Sequence, residues 1–493
     1  MLLHKKLKFV CRFRYLTALL LLCGTSILLI QINSALRRFQ SYRNKTFSSV
    51  IDRSLYAWEK WTSSSIESVL YRTDETFHLS TEAGLTRETT TAPSEDVLNL
   101  RLRTVSSISM SPKGIPDKPR FQKVNDFDAW LFSAFYDNLN NSDLIRVFGI
   151  QPLLLNTPVF CHLTEGIDTY TVEGKKTALN DWHKKRRRVF SYECPLNETS
   201  RPNNVSLTFV ETDTPTNSFL VLYPERIQRN FTVCYSMLFN FNTPYQLVQN
   251  VEFNRVLGAE HFFLYRESVS SAVDTVLKHY QRQGFLTVIE WPIPVGEIHY
   301  HGQILSLNDC AYRNRGVSRY VVIQDTDEFI IPHQHDNWTE LIEVLNKEFE
   351  QSNKSPSENL GAYIVLSSFY QQSPSSSEWK EIKRKFSVSD QDFQKFANFS
   401  LNVFSDLKRL NMYFRGQRQK SFVRPETVLF NDIHSPDKYR PGIAKVKVHV
   451  DLAVVHHQRR YSSPQNNILD TTSLRFKDRV LPLISETVSL LSL

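Results

Sequence analysis

Between residues 231 and 332, short strand-like hydrophobic runs alternate with segments whose hydrophobic residues have helical spacing. Short runs rich in β-branched and aromatic residues predict buried strands at 231–238, 261–265, 285–290 and 319–323. The intervening segments have apolar residues at helical spacing and predict helices at 245–257, 272–283 and 302–315. Alternating strands and helices are typical of a Rossmann-like α/β sheet in which most strands are parallel.

The chain on either side of this pattern has a different character. Strand-like runs at 144–148, 206–210 and 218–223 are separated by Pro, Asn and Gly, so 121–229 is predicted to form a small β-rich domain. Residues 33–120 are rich in Ser, Thr and charge and cannot bury enough apolar surface to fold firmly, which predicts a flexible stem. We assign 230–465 to a catalytic domain and 466–493 to a C-terminal extension.

The N-terminus resembles a signal-anchor. Residues 15–32 are apolar and about as long as the shortest membrane-spanning helices, and basic residues flank them on both sides. A slight basic excess in 1–14 favours a cytoplasmic tail, hence a single-pass type II protein with a lumenal catalytic domain. A cleavable signal peptide, with small residues at 33–35, is the alternative. The short span suits the thinner membranes of the early secretory pathway, and we expect the Golgi.

Sequons and cysteines agree with a lumenal body. After the anchor, an N-x-S/T sequon without a central proline begins at each of Asn44, Asn140, Asn197, Asn204, Asn230, Asn337, Asn353 and Asn398. Four cysteines, Cys161, Cys194, Cys234 and Cys310, follow the anchor, and an oxidising compartment would allow two disulfides in three pairings.

Charge does not point to nucleic acid. The formal net charge is +8, but the basic residues are clustered locally, as at 184–188, and no zinc spacing or RNA-binding aromatic motif accompanies them. The run at 184–188 is read as a solvated loop, or alternatively as a patch that faces an anionic partner.

Candidate chemistry lies at the end of the strand at 319–323. Asp325 and Asp327 follow that strand with one residue between them, so on an extended backbone both side chains share a face and Thr326 points away. Two neighbouring carboxylates repel unless a cation lies between them, and Mg²⁺ or Mn²⁺ suits such oxygen ligands. A solvated acidic turn is the alternative. No glycine-rich phosphate loop is present, so the metal would have to meet the charge of a bound diphosphate.

Several blocks in this order resemble glycosyltransferase family 92. They lie at 232–236, 252–255, 261–265, 308–313, 325–332, 423–425, 433–434 and 453–459, and span about half of the chain. The resemblance implies a GT-A fold and a metal-dependent, inverting transfer from a UDP-sugar, most often galactose from UDP-galactose, in β linkage to a glycan. The partners it implies are the nucleotide sugar and a glycoprotein or glycolipid acceptor; a homodimer is left open.

The resemblance also assigns the site. Asp325 and Asp327 match the family's metal-binding aspartates, and His457 is the first choice for a histidine ligand, with His434 and His456 as rivals. Arg424 and Arg459 either face the donor phosphates, because guanidinium matches phosphate geometry, or form surface or structural salt bridges. Family members often have tyrosine where this chain has Gln458, a departure from the pattern.

An inverting transfer needs one general base to take the proton from the acceptor hydroxyl. Glu378, in a predicted acceptor-side loop at 371–379, is the first candidate, followed by Asp406 and then Glu328, which is better suited to supporting the metal ligands. Trp379 either stacks on a sugar ring or packs within its own domain.

Two other readings compete with a transferase. One is a lumenal carbohydrate-binding or scaffolding protein that has lost turnover, which the presence of both aspartates disfavours. The other is a glycoside hydrolase, but its carboxylates would be more than about 5 Å apart across the scissile bond.

Overall fold

The computed structural model describes residues 120–138, 142–181, 183–353, 355–414, 416–460 and 467–493. The predicted tail, anchor and nearly all of the stem lie outside these residues, as do Asn44 and Asn140. In the described part of the chain, no helix has the length and apolar character needed to cross a membrane.

The first described region is a β-barrel. Its strands are β1 (Gln122–Lys123), β2 (Trp130–Asp137), β3 (Leu144–Pro152), β4 (Val159–Glu165), β5 (Asp168–Ala178), β6 (Arg187–Pro195), β7 (Asn204–Thr208) and β8 (Phe219–Leu222). They pair in the order β1-β2-β3-β6-β5-β4-β7-β8, and β8 also pairs with β2, so the sheet closes on itself. A disulfide between Cys161 and Cys194 joins β4 to β6.

The second region is the predicted α/β sheet. Its first elements are β9 (Arg229–Leu238), α1 (Pro244–Leu257), β10 (His261–Arg266), α2 (Ser271–Arg282), β11 (Leu286–Glu290), α3 (Gln303–Arg313) and β12 (Ser318–Ile323). These bounds confirm the strands and helices expected from the hydrophobic pattern. The strand order is β11-β10-β9-β12, all parallel, so the carboxyl ends of the four strands meet at one edge. A second disulfide, between Cys234 and Cys310, ties β9 to α3.

The remaining elements extend this sheet and add a smaller one. They are β13 (Glu328–Pro332), α4 (Trp338–Asn353), β14 (Leu360–Val365), β15 (Ser367–Gln372), α5 (Ser376–Lys385), α6 (Asp390–Asn398), α7 (Asn402–Ser405), β16 (Lys408–Leu410), β17 (Lys420–Val423), β18 (Val428–Asn431), β19 (Pro436–Tyr439), β20 (Ala444–Lys447), β21 (Ala453–Gln458), β22 (Asn467–Leu469) and α8 (Lys477–Leu491). β17, β14 and β20 continue the large sheet beyond β12, whereas β13-β21-β15-β16-β22 form a separate five-stranded sheet. β18 and β19 form a two-stranded ribbon.

The C-terminal helix packs against helix α1. The hydroxyl of Thr487, in α8, donates a hydrogen bond of 3.3 Å to Glu252 of α1. Arg479 of the same helix donates to the Val256 carbonyl at 2.9 Å. Val480 and Ile484 of α8 are fully buried in the same core. The described part of the segment predicted as an extension, 467–493, therefore packs on the α/β region, because burying this apolar helix completes the layer that covers α1.

The barrel and the α/β sheet share one hydrophobic core. Phe132 and Phe148 of the barrel pack with Trp291 and Tyr312 of the α/β region. The Tyr312 hydroxyl donates to the buried Asp137 carboxylate at 3.0 Å. This hydrogen bond across the boundary offsets the cost of burying the two polar groups. The barrel is thus packed directly against the face of the sheet that carries α3.

Candidate active site

The acidic turn between β12 and β13 is held in place by helix α1. Gln246 donates a hydrogen bond to the Thr326 hydroxyl at 2.9 Å, and Asn250, which is fully buried, donates to the Glu328 carbonyl at 2.8 Å. Gln324 donates in turn to Asn250 at 3.2 Å. Thr326 is therefore directed into the protein while the Asp325 and Asp327 side chains stay 35% exposed, as the alternation of the motif predicts.

Asp325 is paired with a buried lysine that the sequence did not reveal. Lys420 Nζ lies 3.0 Å from Asp325 Oδ2 and 2.9 Å from Glu328 Oε2, and its side chain is only 2% exposed. The other Asp325 oxygen accepts a bond of 3.2 Å from the Ser236 hydroxyl at the end of β9. Burial acts to raise the pKa of Asp325, but the charge and hydrogen bond of Lys420 outweigh it and hold that pKa below its ordinary value.

Lys420 reaches the acidic turn because of strand direction. β17 runs antiparallel to β12, with Ser421 opposite Ile323 and Val423 opposite Val321, so the first residue of β17 lies at the acidic end. Burial opposes its charge, but Asp325 and Glu328 together raise the pKa of Lys420, so the ammonium form persists. In the sequence, a lysine before a short apolar run is indistinguishable from a solvated one.

Asp327 lies beside His457, the histidine that the sequence ranked first. β13 and β21 pair antiparallel with Glu328 opposite His457, which brings the late histidine block to the acidic turn. His457 Nε2 is 3.4 Å from Asp327 Oδ2, and its Nδ1 is 3.2 Å from Glu328 Oε1. Glu328 is buried. Burial and the nearby aspartates raise the pKa of its carboxyl, although Lys420 and His457 act to lower it. It contacts both Lys420 and His457, as a residue that supports the site would.

The two rival histidines go to different places. His434 lies within electrostatic range of Lys420 and Asp325. Burial, and secondly the positive charge of Lys420, lowers the pKa of the His434 imidazole to about 4, so the ring is neutral at pH 7. Its buried Nδ1 has no hydrogen-bond partner in the described residues. His456 points to the opposite face of β21, where its Nε2 and the Tyr370 hydroxyl are 2.9 Å apart and the two rings stack. His456 is therefore not brought to the acidic turn, because neighbouring residues on a strand face opposite sides.

Two side chains at this turn, Asp327 and His457, lie close enough to share a divalent cation. Two ligands at right angles on an octahedral ion with bonds of about 2.1 Å lie about 3.0 Å apart, close to the 3.4 Å between Asp327 and His457. Carboxylate oxygen suits Mg²⁺ and Mn²⁺, and neutral imidazole is a common ligand for transition metals. Asp327 and His457 would hold such an ion, with Asp325 and His434 beside them.

Arg424 is not brought to this site. Because β17 is antiparallel to β12, Arg424 follows the end of β17 that is remote from the acidic turn. Its guanidinium donates to the Ser357 carbonyl at 2.6 Å and lines a separate cavity of about 530 Å³ near the amino ends of β9 and β12, with Asn230 and Tyr320. The structure therefore does not bring Arg424 to the acidic turn, and Lys420 is the basic residue of β17 that lies there.

Arg459 and a tyrosine missed by the sequence reasoning border the turn on another side. Arg459 is exposed and directly follows β21. Tyr300 lies after β11 in a left-handed backbone conformation (φ 40°) and is 50% exposed. Burial, then the charges of Asp325 and Asp327, raises the pKa of its hydroxyl, whereas Arg459 lowers it. The Tyr300 ring packs edge-on against Phe239 at 5.2 Å.

The barrel holds the loop that carries Tyr300. The backbone N–H of Arg187 donates to the Glu297 carbonyl at 3.1 Å, and its guanidinium donates to the Gly296 carbonyl at 3.0 Å. The guanidinium also pairs with Asp128 at 2.8 Å. Part of the basic run at 184–188 thus joins the barrel to the edge of the candidate site.

Glu378 has a structural role as part of a helix cap. The segment 371–379 is not one loop: β15 ends at Gln372 and α5 begins at Ser376. Glu378 closes a capping box with Ser375 and also pairs with Lys408 at 2.9 Å. The Ser375 hydrogen bond, then Lys408, lowers the pKa of Glu378 to about 2, which makes it a weak base.

Trp379 and Asp406 are the other residues that we singled out on the acceptor side, and their surroundings differ from those of Glu378. Trp379 is buried against Phe393 and donates to Ser373 at 3.1 Å, so of the two readings for it, packing within its own domain is the observed one. Asp406 follows α7 directly, and burial raises the pKa of its carboxyl although Arg460 opposes the shift. Of Glu378 and Asp406, Asp406 therefore has the stronger basic carboxylate.

The described sequons differ in exposure. Asn197, Asn230 and Asn398 are exposed and Asn204 is partly buried on β7, whereas Asn353 closes α4. Asn337 caps α4: its side-chain oxygen accepts the Glu340 N–H at 2.9 Å and its amide donates to the Glu340 carboxylate at 2.8 Å. Glycosylation of Asn337 would compete with this cap.

Comparison with known proteins defines the class of this chain. Residues 229–489 match the sequence family described as glycosyltransferase family 92, which is more than half of the chain. The chain therefore belongs to glycosyltransferase family 92, in agreement with the resemblance found in its motifs, and is a glycosyltransferase by family.

Individual relatives are distant. The chain is 25% identical over 268 residues to beta-1,4-galactosyltransferase galt-1 of Caenorhabditis elegans, covering 51% of this chain and 61% of that protein. It is 23% identical over 245 residues to glycosyltransferase family 92 protein C33H5.2 of the same organism, covering 46% of this chain and 41% of that protein. The chain thus spans less than two thirds of the length of these relatives.

Solved structures give weaker likenesses. Glucosyl-3-phosphoglycerate synthase from Mycobacterium tuberculosis matches with a TM-score of 0.22 and 12% identity, covering 53% of this chain and 80% of that one. A mycobacterial protein matches with a TM-score of 0.23 and 12% identity, covering 53% and 75%. TM-scores this low do not establish a shared fold.

Proposed function

We propose that this chain is a metal-dependent, inverting hexosyltransferase that moves galactose from UDP-galactose in β linkage onto a glycan. The observation that carries the proposal is the approach of Asp327 and His457 to 3.4 Å at the carboxyl ends of the parallel strands. In open α/β sheets that edge is where ligands bind. The similarity to a protein named as a beta-1,4-galactosyltransferase supports galactose as the sugar.

On the donor side, a Mn²⁺ or Mg²⁺ ion held by Asp327 and His457 would stabilise the negative charge that develops on the leaving UDP. Arg459, exposed beside the turn, supplies a guanidinium for the diphosphate oxygens. The half-exposed Tyr300 ring, with Phe239 behind it, provides an aromatic wall for the nucleoside. Lys420 and Ser236 hold Asp325 in one orientation.

On the acceptor side, inversion requires one base to remove the proton of the attacking hydroxyl. Asp406 is the proposed base, since burial raises the pKa of its carboxyl and so strengthens it as a proton acceptor. The GT-A type of fold is part of this proposal, supported by the parallel order β11-β10-β9-β12 with the acidic turn after β12.

The proposed setting is the Golgi lumen, with the chain anchored through 15–32. The pairing of all four cysteines beyond the anchor into disulfides supports an oxidising compartment. Exposed sequons at Asn197, Asn230 and Asn398 agree with it.

The experiment is UDP release by the full-length protein from a panel of UDP-sugars, with and without Mn²⁺. We expect Mn²⁺-dependent release from UDP-galactose, and a loss of at least about a hundredfold in Asp327→Ala because that change removes an ion ligand. Asp451→Ala, at an exposed aspartate in the turn before β21, is the matched control and should keep wild-type rates.

Different results separate the alternatives. Release from another UDP-sugar would correct the donor and keep the reaction class. Neither release nor Mn²⁺-dependent UDP binding by the wild type would contradict the proposal and favour a non-catalytic carbohydrate-binding role.

A further inference from the structure

A cavity of about 370 Å³ opens beside the acidic turn, on the side of helix α1 and the α6–α7 connection. Asp327 forms part of its wall, so the cavity adjoins the candidate metal site. Its volume is at the lower end of the range of about 300–1,000 Å³ typical of small-molecule sites.

The chemistry of the wall is that of uncharged hydrogen-bonding groups. Gln249 of α1, Gln458 of β21, Ser400 and Asn402 line it, together with the Tyr245 ring. Among the described residues that line this cavity, Asp327 is the only one with a charge at neutral pH. A diphosphate would meet no cation here, and an acidic sugar would be repelled by Asp327.

Buried amide atoms in the wall lack partners. Gln249 is 3% exposed; its side-chain nitrogen donates to the Ser400 carbonyl at 3.5 Å, whereas its side-chain oxygen has no hydrogen-bond partner in the described part of the chain. Both side-chain polar atoms of Gln458 are likewise buried and unpaired there. Because an unpaired buried amide is costly, such groups at a cavity wall point to a ligand that supplies donors and acceptors.

The wall is also held in position. Gln246, on the same helix as Gln249, binds the Thr326 hydroxyl between the two aspartates. The Tyr245 ring stacks on Phe399 with the ring centroids 5.8 Å apart. The backbone N–H of Asp406 donates to the Asn402 carbonyl at 2.8 Å, so one helical turn links the cavity wall to the proposed base.

We propose that this cavity is the acceptor subsite and that it takes an uncharged sugar residue, whose hydroxyls pair with the amides of Gln249 and Gln458. The proposal rests on the proposed transferase function. It deepens that function by stating the acceptor class: a neutral sugar is accepted, and a uronic or sialic acid is excluded at this position.

The test uses the full-length protein with methyl glycosides of galactose, fucose and N-acetylglucosamine as neutral probes and methyl glucuronide as the acidic probe. Binding is followed by saturation-transfer NMR, and UDP release is measured with each probe and without any. We expect at least one neutral probe to bind and to accept the sugar, and the glucuronide to do neither.

Two variants remove the subsite in different ways. Gln249→Met keeps the side-chain length but deletes the amide, and we expect the acceptor KM to rise about five- to tenfold, the effect of losing one hydrogen bond. Asn402→Trp fills the cavity from an exposed position, so it tests the subsite even if Gln249→Met folds poorly. It should lower the ratio of transfer to donor hydrolysis by at least about tenfold. Gln281→Met, at an exposed glutamine of α2, is the matched control.

A nearby glycan must be separated from these effects. Ser400 is the third residue of the Asn398 sequon, so a glycan at Asn398 would lie near the cavity. The assays are therefore repeated in an Asn398→Gln background, where the differences between the variants should persist.

The outcomes distinguish the subsite from the function. If the wild type transfers sugar but both variants keep its acceptor KM, or the glucuronide is accepted as well as the neutral probes, the subsite proposal is overturned and the transferase stands. If the wild type releases no UDP, the NMR arm still decides: neutral-probe binding lost in Asn402→Trp supports the subsite, and absence of binding overturns it.

Discussion

Replacing the buried Lys420 with methionine is expected to destabilise the protein and make its stability depend on manganese. The ammonium group contacts Asp325 at 3.0 Å and Glu328 at 2.9 Å, and the lysine and glutamate side chains are each 2% exposed. Lys420→Met keeps most of the buried chain but leaves two carboxylates without their cation.

The size of the effect follows from these contacts. At 3 Å and an effective dielectric constant of about 20, each contact contributes about 5.5 kcal/mol of Coulomb attraction before desolvation is subtracted. Deleting one partner of a buried ion pair costs about 3–5 kcal/mol in practice. With an unfolding entropy of about 2.1 cal/mol/K per residue and a folded unit of about 370 residues, that cost lowers Tm by about 4–6 °C.

Manganese supplies the second half of the test. A divalent cation held by Asp327 and His457, beside Asp325, would replace part of the lost charge, so Mn²⁺ should raise the Tm of Lys420→Met more than that of the wild type. Differential scanning fluorimetry of the full-length protein, with EDTA or with Mn²⁺, measures both effects. Lys420→Arg keeps the charge, so its Tm should lie between those of the wild type and Lys420→Met.

A partly exposed lysine with a fully exposed partner provides the control. Lys383 pairs with Asp390 at 2.7 Å, but Asp390 is 97% exposed, so Lys383→Met should leave Tm within error of the wild type. A Lys420→Met protein with wild-type Tm in EDTA and an unchanged response to Mn²⁺ would refute the view that Lys420 is the internal cation of the site.

Three further predictions test the base, the pH response and the disulfides. Asp406→Asn should lower kcat by at least about a hundredfold, whereas Glu378→Gln should keep kcat because its carboxylate caps a helix; the reverse order would return Glu378 to the role of base. Burial lowers the pKa of His261 to about 3, below the unfolded value of about 6.5, so its contribution to stability is complete above pH 6.5 and is lost as the pH falls towards 3. Tm measured between pH 7 and 4 should therefore fall more steeply in the wild type than in His261→Gln, and parallel curves would contradict this. The loop closed by Cys234 and Cys310 spans 76 residues and that closed by Cys161 and Cys194 spans 33; chain entropy then gives about 4.5 and about 3.7 kcal/mol. The Cys234→Ala/Cys310→Ala protein should have the lower Tm of the two double variants, and equal Tm values would show that loop length does not govern the loss.

Local patterns determined the elements and the nature of the acidic turn. The strands and helices from β9 to β12 were predictable because each buries an apolar face whose period can be read directly. The alternation of Asp325, Thr326 and Asp327 determined which side chains remain open, and motif blocks identified the family and ranked His457 first among the histidines. These features depend on neighbours a few residues apart.

Strand direction and register, by contrast, were decided only by the tertiary structure. Lys420 and Arg424 belong to one short segment, yet the antiparallel pairing of β17 brings the lysine to Asp325 and carries the arginine to the other edge of the sheet. One residue of register separates His457, at the site, from His456, which stacks on Tyr370 on the opposite face. Both outcomes depend on contacts between segments about a hundred residues apart, and such long-range pairing leaves no mark in the local composition from which a sequence is read.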